Sequence, residues 1–158
     1  MAVQYAKSLG AEVTAVDNGS KSEMMLSVGA DDVVDYETED YTQTDRRYDV
    51  VFDLAAHRPL SESRRVLKPD GVHLVAGGAA GPVLQAMLLG PLVSKLRKQQ
   101  LVFLMAQDSR EDLVAAAEFI RSGKGTPVID RCYRLDDLAQ ALQRMGEGRA
   151  LGKVVITM

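Results

Sequence analysis

Residues 48–54 read YDVVFDL and residues 72–76 read VHLVA. Both runs are rich in Val, Leu and Phe and too short for a helix. Neither alternates strictly between apolar and polar residues. Short runs of this kind sit inside parallel sheets, covered on both faces. Between them, Pro59 opens a helix that ends near Leu67, and Pro69-Asp70-Gly71 makes a turn. Parallel strands need a crossover, usually a helix, so the stretch reads as one strand–helix–strand unit.

The same alternation extends in both directions. Upstream, Ala2–Leu9 places Val3, Ala6 and Leu9 on one helical face, and Gly10 stops the helix. Glu12–Val16 (EVTAV) is the next strand. Ser20 with Glu23 has capping-box spacing and starts a helix that carries Met24, Met25 and Val28 and stops at Gly29. Asp32–Asp35 is a short strand, followed by a polar, acidic loop from Tyr36 to Arg47. Downstream, Gly77-Gly78 ends the second quoted strand, and a helix fills Val83–Lys98, interrupted near Gly90-Pro91. Leu101–Met105 is a strand, and Ser109 caps a helix through Ile120 that Gly123 and Gly125 end. The tail gives a strand at Val128–Tyr133, a helix at Leu135–Met145 and a strand at Lys153–Thr157. This pattern predicts an α/β fold with a doubly wound parallel sheet. The boundary falls near Thr126-Pro127, with residues 1–126 completing α/β units and 127–158 forming strand, helix and strand.

Bulk properties narrow the function. The 158 residues suit a globular chain, with 46% hydrophobic and 26% charged residues. A net charge of −3 gives no basic excess for nucleic acid. The N-terminus lacks the pattern of a signal peptide. The most apolar stretch, Gly81–Leu96, is too short to span a bilayer and is broken by Pro82, Gly90 and Pro91; it reads as a buried helix or a subunit contact. The single cysteine, Cys132, fits a reducing, cytoplasmic setting. No HExxH, paired-cysteine spacing or GxSxG is present, so neither a metal set nor a catalytic residue is assigned.

Ligands of open α/β sheets bind at the carboxyl ends of the strands. After the first strand comes Asp17, then Asn18-Gly19-Ser20-Lys21. An acid there accepts the hydroxyls of an adenosine ribose, or it only favours a following helix dipole. Lys21 is placed to neutralise a 2′-phosphate. Ala55-Ala56 and Gly77-Gly78 follow neighbouring buried strands; they let a ligand approach the backbone or simply form turns. His73, between Val72 and Leu74, reads as a structural strand residue, and His57 sits at a strand tip. The pairs Asp31-Asp32 and Asp136-Asp137, and the clusters Arg46-Arg47, Arg64-Arg65 and Lys95–Lys98, read as caps and solvated faces.

Three longer stretches carry a family resemblance. AVQYAKSLGAEVTAVDNGSKSEMMLSVGADDVVDY (2–36) resembles the segment after the glycine loop of medium-chain dehydrogenases of the zinc-independent quinone-oxidoreductase type. YDVVFDLAAHRPLSESRRVLKPDGVHLVAGG (48–78) resembles their fourth and fifth strands, and residues 110–158 their chain end. The resemblance implies a Rossmann-like domain whose first strand and glycine-rich loop would lie upstream of Met1, and a last strand–helix–strand that packs on a catalytic domain. It implies transfer of hydride from NADPH or NADH, NADPH favoured, to a quinone, enone or aldehyde, without zinc. It puts Asp17, Ser20, Lys21 and Tyr36 near the adenosine end of the cofactor, and Arg149 either at that same end or helping to close the domains. Gly77 and Gly78 fall beside the nicotinamide ribose and Phe103 and Leu104 beside the ring, with Ala55 and Ala56 as further cofactor-binding positions. Asp17 departs from the NADPH-using pattern, where a small residue is expected. A sheet without its central strand exposes two edges, so a homodimer or a partner completing the sheet is expected. Two alternatives share these features: a non-catalytic or partner-dependent subunit, and a class I methyltransferase, whose acidic ribose ligand VTAVD also resembles.

Overall fold

A computed structural model of the chain describes residues 1–96, 98–105 and 109–158, the side chains of 89–96 excepted. In chain order the elements are α1 (Ala2–Ser8), β1 (Thr14–Asp17), α2 (Ser22–Ser27), β2 (Asp32–Asp35), β3 (Tyr48–Asp53), α3 (Leu60–Ser63), β4 (Leu67–Val75), α4 (Ala80–Leu96), β5 (Gln100–Phe103), α5 (Arg110–Arg121), β6 (Ile129–Arg134), α6 (Leu138–Gly146) and β7 (Lys153–Thr157). Every strand pairing is parallel, as the strand–helix alternation predicts. The chain divides into two compact units, residues 1–39 with 109–158 and residues 40–108.

In the first unit, β1 pairs with β2 from Thr14↔Asp32 to Asp17↔Asp35. Gly10 and Gly29 take φ of +81° and +104°, which lets the chain leave α1 and α2 sharply. Lys7 of α1 pairs with Asp31 at 2.8 Å, and Asp31 also accepts the Val13 N–H at 2.7 Å. The side-chain amide of Gln4 exchanges two hydrogen bonds with the Thr126 backbone, at 3.0 and 2.9 Å. The residue read as a boundary is thereby tied to the first helix. The capping box at Ser20 and Glu23 does not form. Asn18 Oδ1 accepts the Ser20 N–H at 2.9 Å, so a 3₁₀ turn over Gly19–Lys21 comes first and α2 begins at Ser22. Ser109 does cap α5, its Oγ accepting the Asp112 N–H at 3.2 Å. Ser109→Ala should lower stability by about 1 kcal/mol, read as a shift of the urea midpoint at unchanged slope. In the tail, β6, α6 and β7 form a parallel crossover, and Arg144 of α6 grips Asp130 of β6 through two contacts at 2.5 and 2.8 Å.

In the second unit the strand order is β3-β4-β5. Ala56, Leu60, Val75, Ala86 and Leu101 form its core, with Val83 and Phe103 packed against them. Several readings change. Pro69-Asp70-Gly71 is not a separate turn: β4 runs through it, advancing from Leu67 to Val72 while β3 advances only from Tyr48 to Val50. The extra residues are taken up as an irregularity in the register. The helix expected from Pro59 to Leu67 is shorter, with α3 passing into a 3₁₀ turn over Arg64–Val66. β3 is not covered on both faces, because Val50 and Phe52 are exposed among the described residues. Helix α4 begins at Ala80, earlier than Val83, and Leu84, Met87 and Leu88 on it are exposed. The expected break at Gly90-Pro91 does not occur, since α4 runs through it to Leu96; the side chains there, Lys95 included, and Arg97 lie outside the described residues. No helix among the described residues is long and apolar enough to cross a membrane.

The acidic loop after β2 is ordered at Asp40. Its carboxylate accepts the Thr42 N–H and hydroxyl at 2.9 and 2.7 Å, the Gln43 amide at 2.9 Å and the Arg58 guanidinium at 2.9 Å. Burial alone would raise this carboxyl, but those donors outweigh it and hold it at about 2. A carboxyl depressed in the folded state stabilises above its unfolded pKa and loses that effect as pH falls towards its folded value. Asp40→Ala should therefore cost about 1 kcal/mol at neutral pH. The gap from the parent chain should close between about pH 4 and pH 2, as urea titrations across that range would read.

Candidate nucleotide-binding site

The carboxyl ends of β1 and β2 gather four of the residues read from the sequence. Asp17 ends β1, and its Oδ1 accepts the Asn18 N–H and the Lys21 ammonium, both at 2.8 Å. Lys21 reaches it because the 3₁₀ turn over Gly19–Lys21 brings the chain back one turn after the strand. The Tyr36 N–H donates to the Asp17 carbonyl at 3.2 Å, while its side chain stands exposed, as does Ser20. Asp35, which sequence reading missed, is the register partner of Asp17. Its Oδ1 accepts the Glu37 N–H at 3.0 Å, and its other oxygen lies so close to Gly19 that an added Cβ there would collide with it. The signal was available in the run DVVDY, where the acid precedes Tyr36 at the end of a strand.

The second unit gathers the small residues at its own strand ends. The Ala56 N–H donates to Gly77 O at 2.9 Å, and the Ala79 N–H to Ala56 O at 2.8 Å. Ala56 and Gly78 form an isolated parallel bridge. Gly78 takes φ of +129°, and a Cβ on it would collide with the Ala56 backbone. The chain's own close approach thus accounts for the glycine at 78. Ala55 is exposed, Ala56 buried and Gly77 half-buried. Phe103 packs on the core, whereas Leu104, whose N–H donates to Val75 O at 2.8 Å, is exposed.

Arg149 lies between α6 and β7, where its guanidinium pairs with Glu147. His57 is exposed at its strand tip. His73 is fully buried in β4, as a structural strand residue should be, yet neither ring nitrogen has a hydrogen-bond partner among the described residues. The nearest acid, Asp53 Oδ2 at the end of β3, is 3.7 Å from His73 Nε2, beyond hydrogen-bond reach. Cys132 is free and exposed in β6. Among the described residues no three His, Cys, Asp or Glu side chains gather as metal ligands.

Residues 28–156 match the family profile described as zinc-binding dehydrogenase. A chloroplastic quinone oxidoreductase of Triphysaria versicolor is 31% identical over 161 aligned residues, which cover 98% of this chain and 47% of that protein. A chloroplast envelope quinone oxidoreductase homologue of Arabidopsis thaliana is 30% identical, with the same coverage. A crystal structure described as a candidate alcohol dehydrogenase from Sinorhizobium meliloti superposes with a TM-score of 0.81 at 28% identity, covering 98% of this chain and 44% of that one. The chain spans about half the length of the curated relatives it matches. The fold is the Rossmann-like α/β arrangement of their C-terminal part.

Proposed function

The chain belongs to the zinc-binding dehydrogenase family, and from that premise we propose that it is the nucleotide-binding portion of an NAD(P)H-dependent oxidoreductase acting on a quinone, enone or aldehyde. The observation that carries this reading is the Asp17–Lys21 pair at the carboxyl end of β1, where open α/β sheets take their ligands. Asp17, Ser20, Lys21 and Tyr36 would hold the adenosine end of the cofactor. Ala55, Ala56, Gly77, Gly78, Phe103 and Leu104 are proposed as cofactor contacts on the family resemblance alone. When bound, the nicotinamide supplies the hydride. The chain's part is to bind, orient and exclude water. The described residues offer no cluster of three His, Cys, Asp or Glu side chains to hold zinc. The relatives described above are oxidoreductases, which leaves the methyltransferase reading without support.

Titrating NADH or NADPH into the chain should raise the cofactor's fluorescence saturably. A signal that stays linear into the millimolar range would favour the non-catalytic alternative, and saturable binding of S-adenosylmethionine would favour the methyltransferase.

Two further parts of the proposal concern partners. Leu138, Leu142 and Met145 lie along one side of α6, with Leu135 just ahead, and all four are exposed. That stripe supports residues 127–158 packing on a catalytic domain. β1 pairs only with β2, and β3 only with β4, so each sheet has an unpaired edge among the described residues. A second copy or a partner strand would complete such an edge. Sedimentation at micromolar concentration should show a dimer or a mixed assembly, and a stable monomer would refute that part. Free Cys132 supports a cytoplasmic setting, although relatives include chloroplastic proteins.

A further inference from the structure

The nucleotide reading leaves open which ribose the β1–β2 tip accepts, and the local charges decide it. Lys21, the residue offered to a 2′-phosphate, is already paired. Its ammonium sits 2.8 Å from Asp17 Oδ1, with the two side chains only 19% and 24% exposed. Arg149, the other cation assigned to that end of the cofactor, is paired with Glu147. Both donors to Asp17 converge on Oδ1, and among the described residues none reaches Oδ2. Beside this neutral pair lies Asp35 in register with Asp17, its carboxylate against Gly19 and no cation paired with it among the described residues. The tip therefore presents a free carboxylate oxygen and an uncompensated negative charge. Ribose hydroxyls donate to the first, and a phosphate is repelled by the second.

We infer that Asp35 is a specificity-determining residue that, with Asp17, selects NADH over NADPH. The inference rests on the nucleotide-binding reading and reverses the NADPH preference taken from the sequence. Lys21 acts here as a positioning residue: it fixes Asp17 Oδ1 and leaves Oδ2 to the ribose.

The test is the affinity of the chain for NADH and NADPH, measured separately by fluorescence at low ionic strength. The parent chain should hold NADH about tenfold or more tighter. Asp35→Asn should narrow that ratio severalfold, and Asp17→Asn, which releases Lys21, should invert it. Lys21→Met should weaken both cofactors together, and it keeps the test decisive where an Asp35 variant does not fold. NADPH bound as tightly as NADH by the parent chain would overturn the inference alone, as would a selective loss of NADPH in Lys21→Met. Failure to bind either cofactor would overturn the nucleotide reading and the inference with it.

Discussion

Gly78→Ala should destabilise the chain by about 3 kcal/mol, counting backbone strain together with a collision that cannot relax. Gly78 holds φ at +129°, which side chains rarely adopt, and an added Cβ would meet the nitrogen, carbonyl carbon and oxygen of Ala56. Those atoms are backbone and cannot rotate aside. They are also fixed, since the Ala56 N–H is bonded to Gly77 O and Ala56 O accepts from Ala79. The substitution must therefore separate the ends of β3 and β4, where Ala56, Leu60 and Val75 are buried together. Gly81→Ala is the control. An added Cβ there meets nothing within 4 Å, and it lies in the first turn of α4, so the change should be neutral or stabilising by up to about 1 kcal/mol. Urea unfolding of both variants reads the contrast, and a Gly78→Ala chain as stable as its parent would contradict the close approach described here.

His73→Leu should have the opposite sign, stabilising by about 1–2 kcal/mol, because an imidazole with no hydrogen-bond partner forfeits its hydration on burial. His73 is 0% exposed, and its neighbours across the sheet are Val51 and Leu101. Leucine has a similar volume and leaves no polar atom unpaired. Asp53, 3.7 Å away, keeps a side chain 17% exposed and retains water when the imidazole is removed. A double-mutant cycle with Asp53→Asn isolates any coupling between the two. A His73→Leu chain less stable than its parent, with coupling above about 1 kcal/mol in that cycle, would mean that the imidazole–carboxylate contact stabilises the sheet.

How much of this was legible depends on what each signal measures. The strand–helix alternation reported the parallel pairing correctly because it follows from apolar runs separated by crossover helices. Ser109 was legible as a cap since a hydroxyl before an acidic first turn has one local use. Ser20 misled because Asn18, two residues earlier, competes for the same N–H and wins. The Pro69-Asp70-Gly71 signal is local, whereas its outcome is set by the pairing of β4 with β3. The exposed face of β3 could not be read from YDVVFDL, because composition reports what a strand can bury and not what lies over it. At the β1–β2 tip, the closeness of Asp17 and Lys21 was legible from chain position alone. Asp35 was not, since its closeness to Asp17 is a property of register and not of spacing.

The central claim is that the β1–β2 tip receives the adenosine end of a nucleotide. Backbone amide resonances of the chain, followed during titration with ADP-ribose, test it most directly. Saturable shifts should concentrate at Asn18, Gly19, Ser20, Lys21 and Tyr36. Shifts absent at saturating millimolar ligand, or clustered on another surface such as α5, would contradict it.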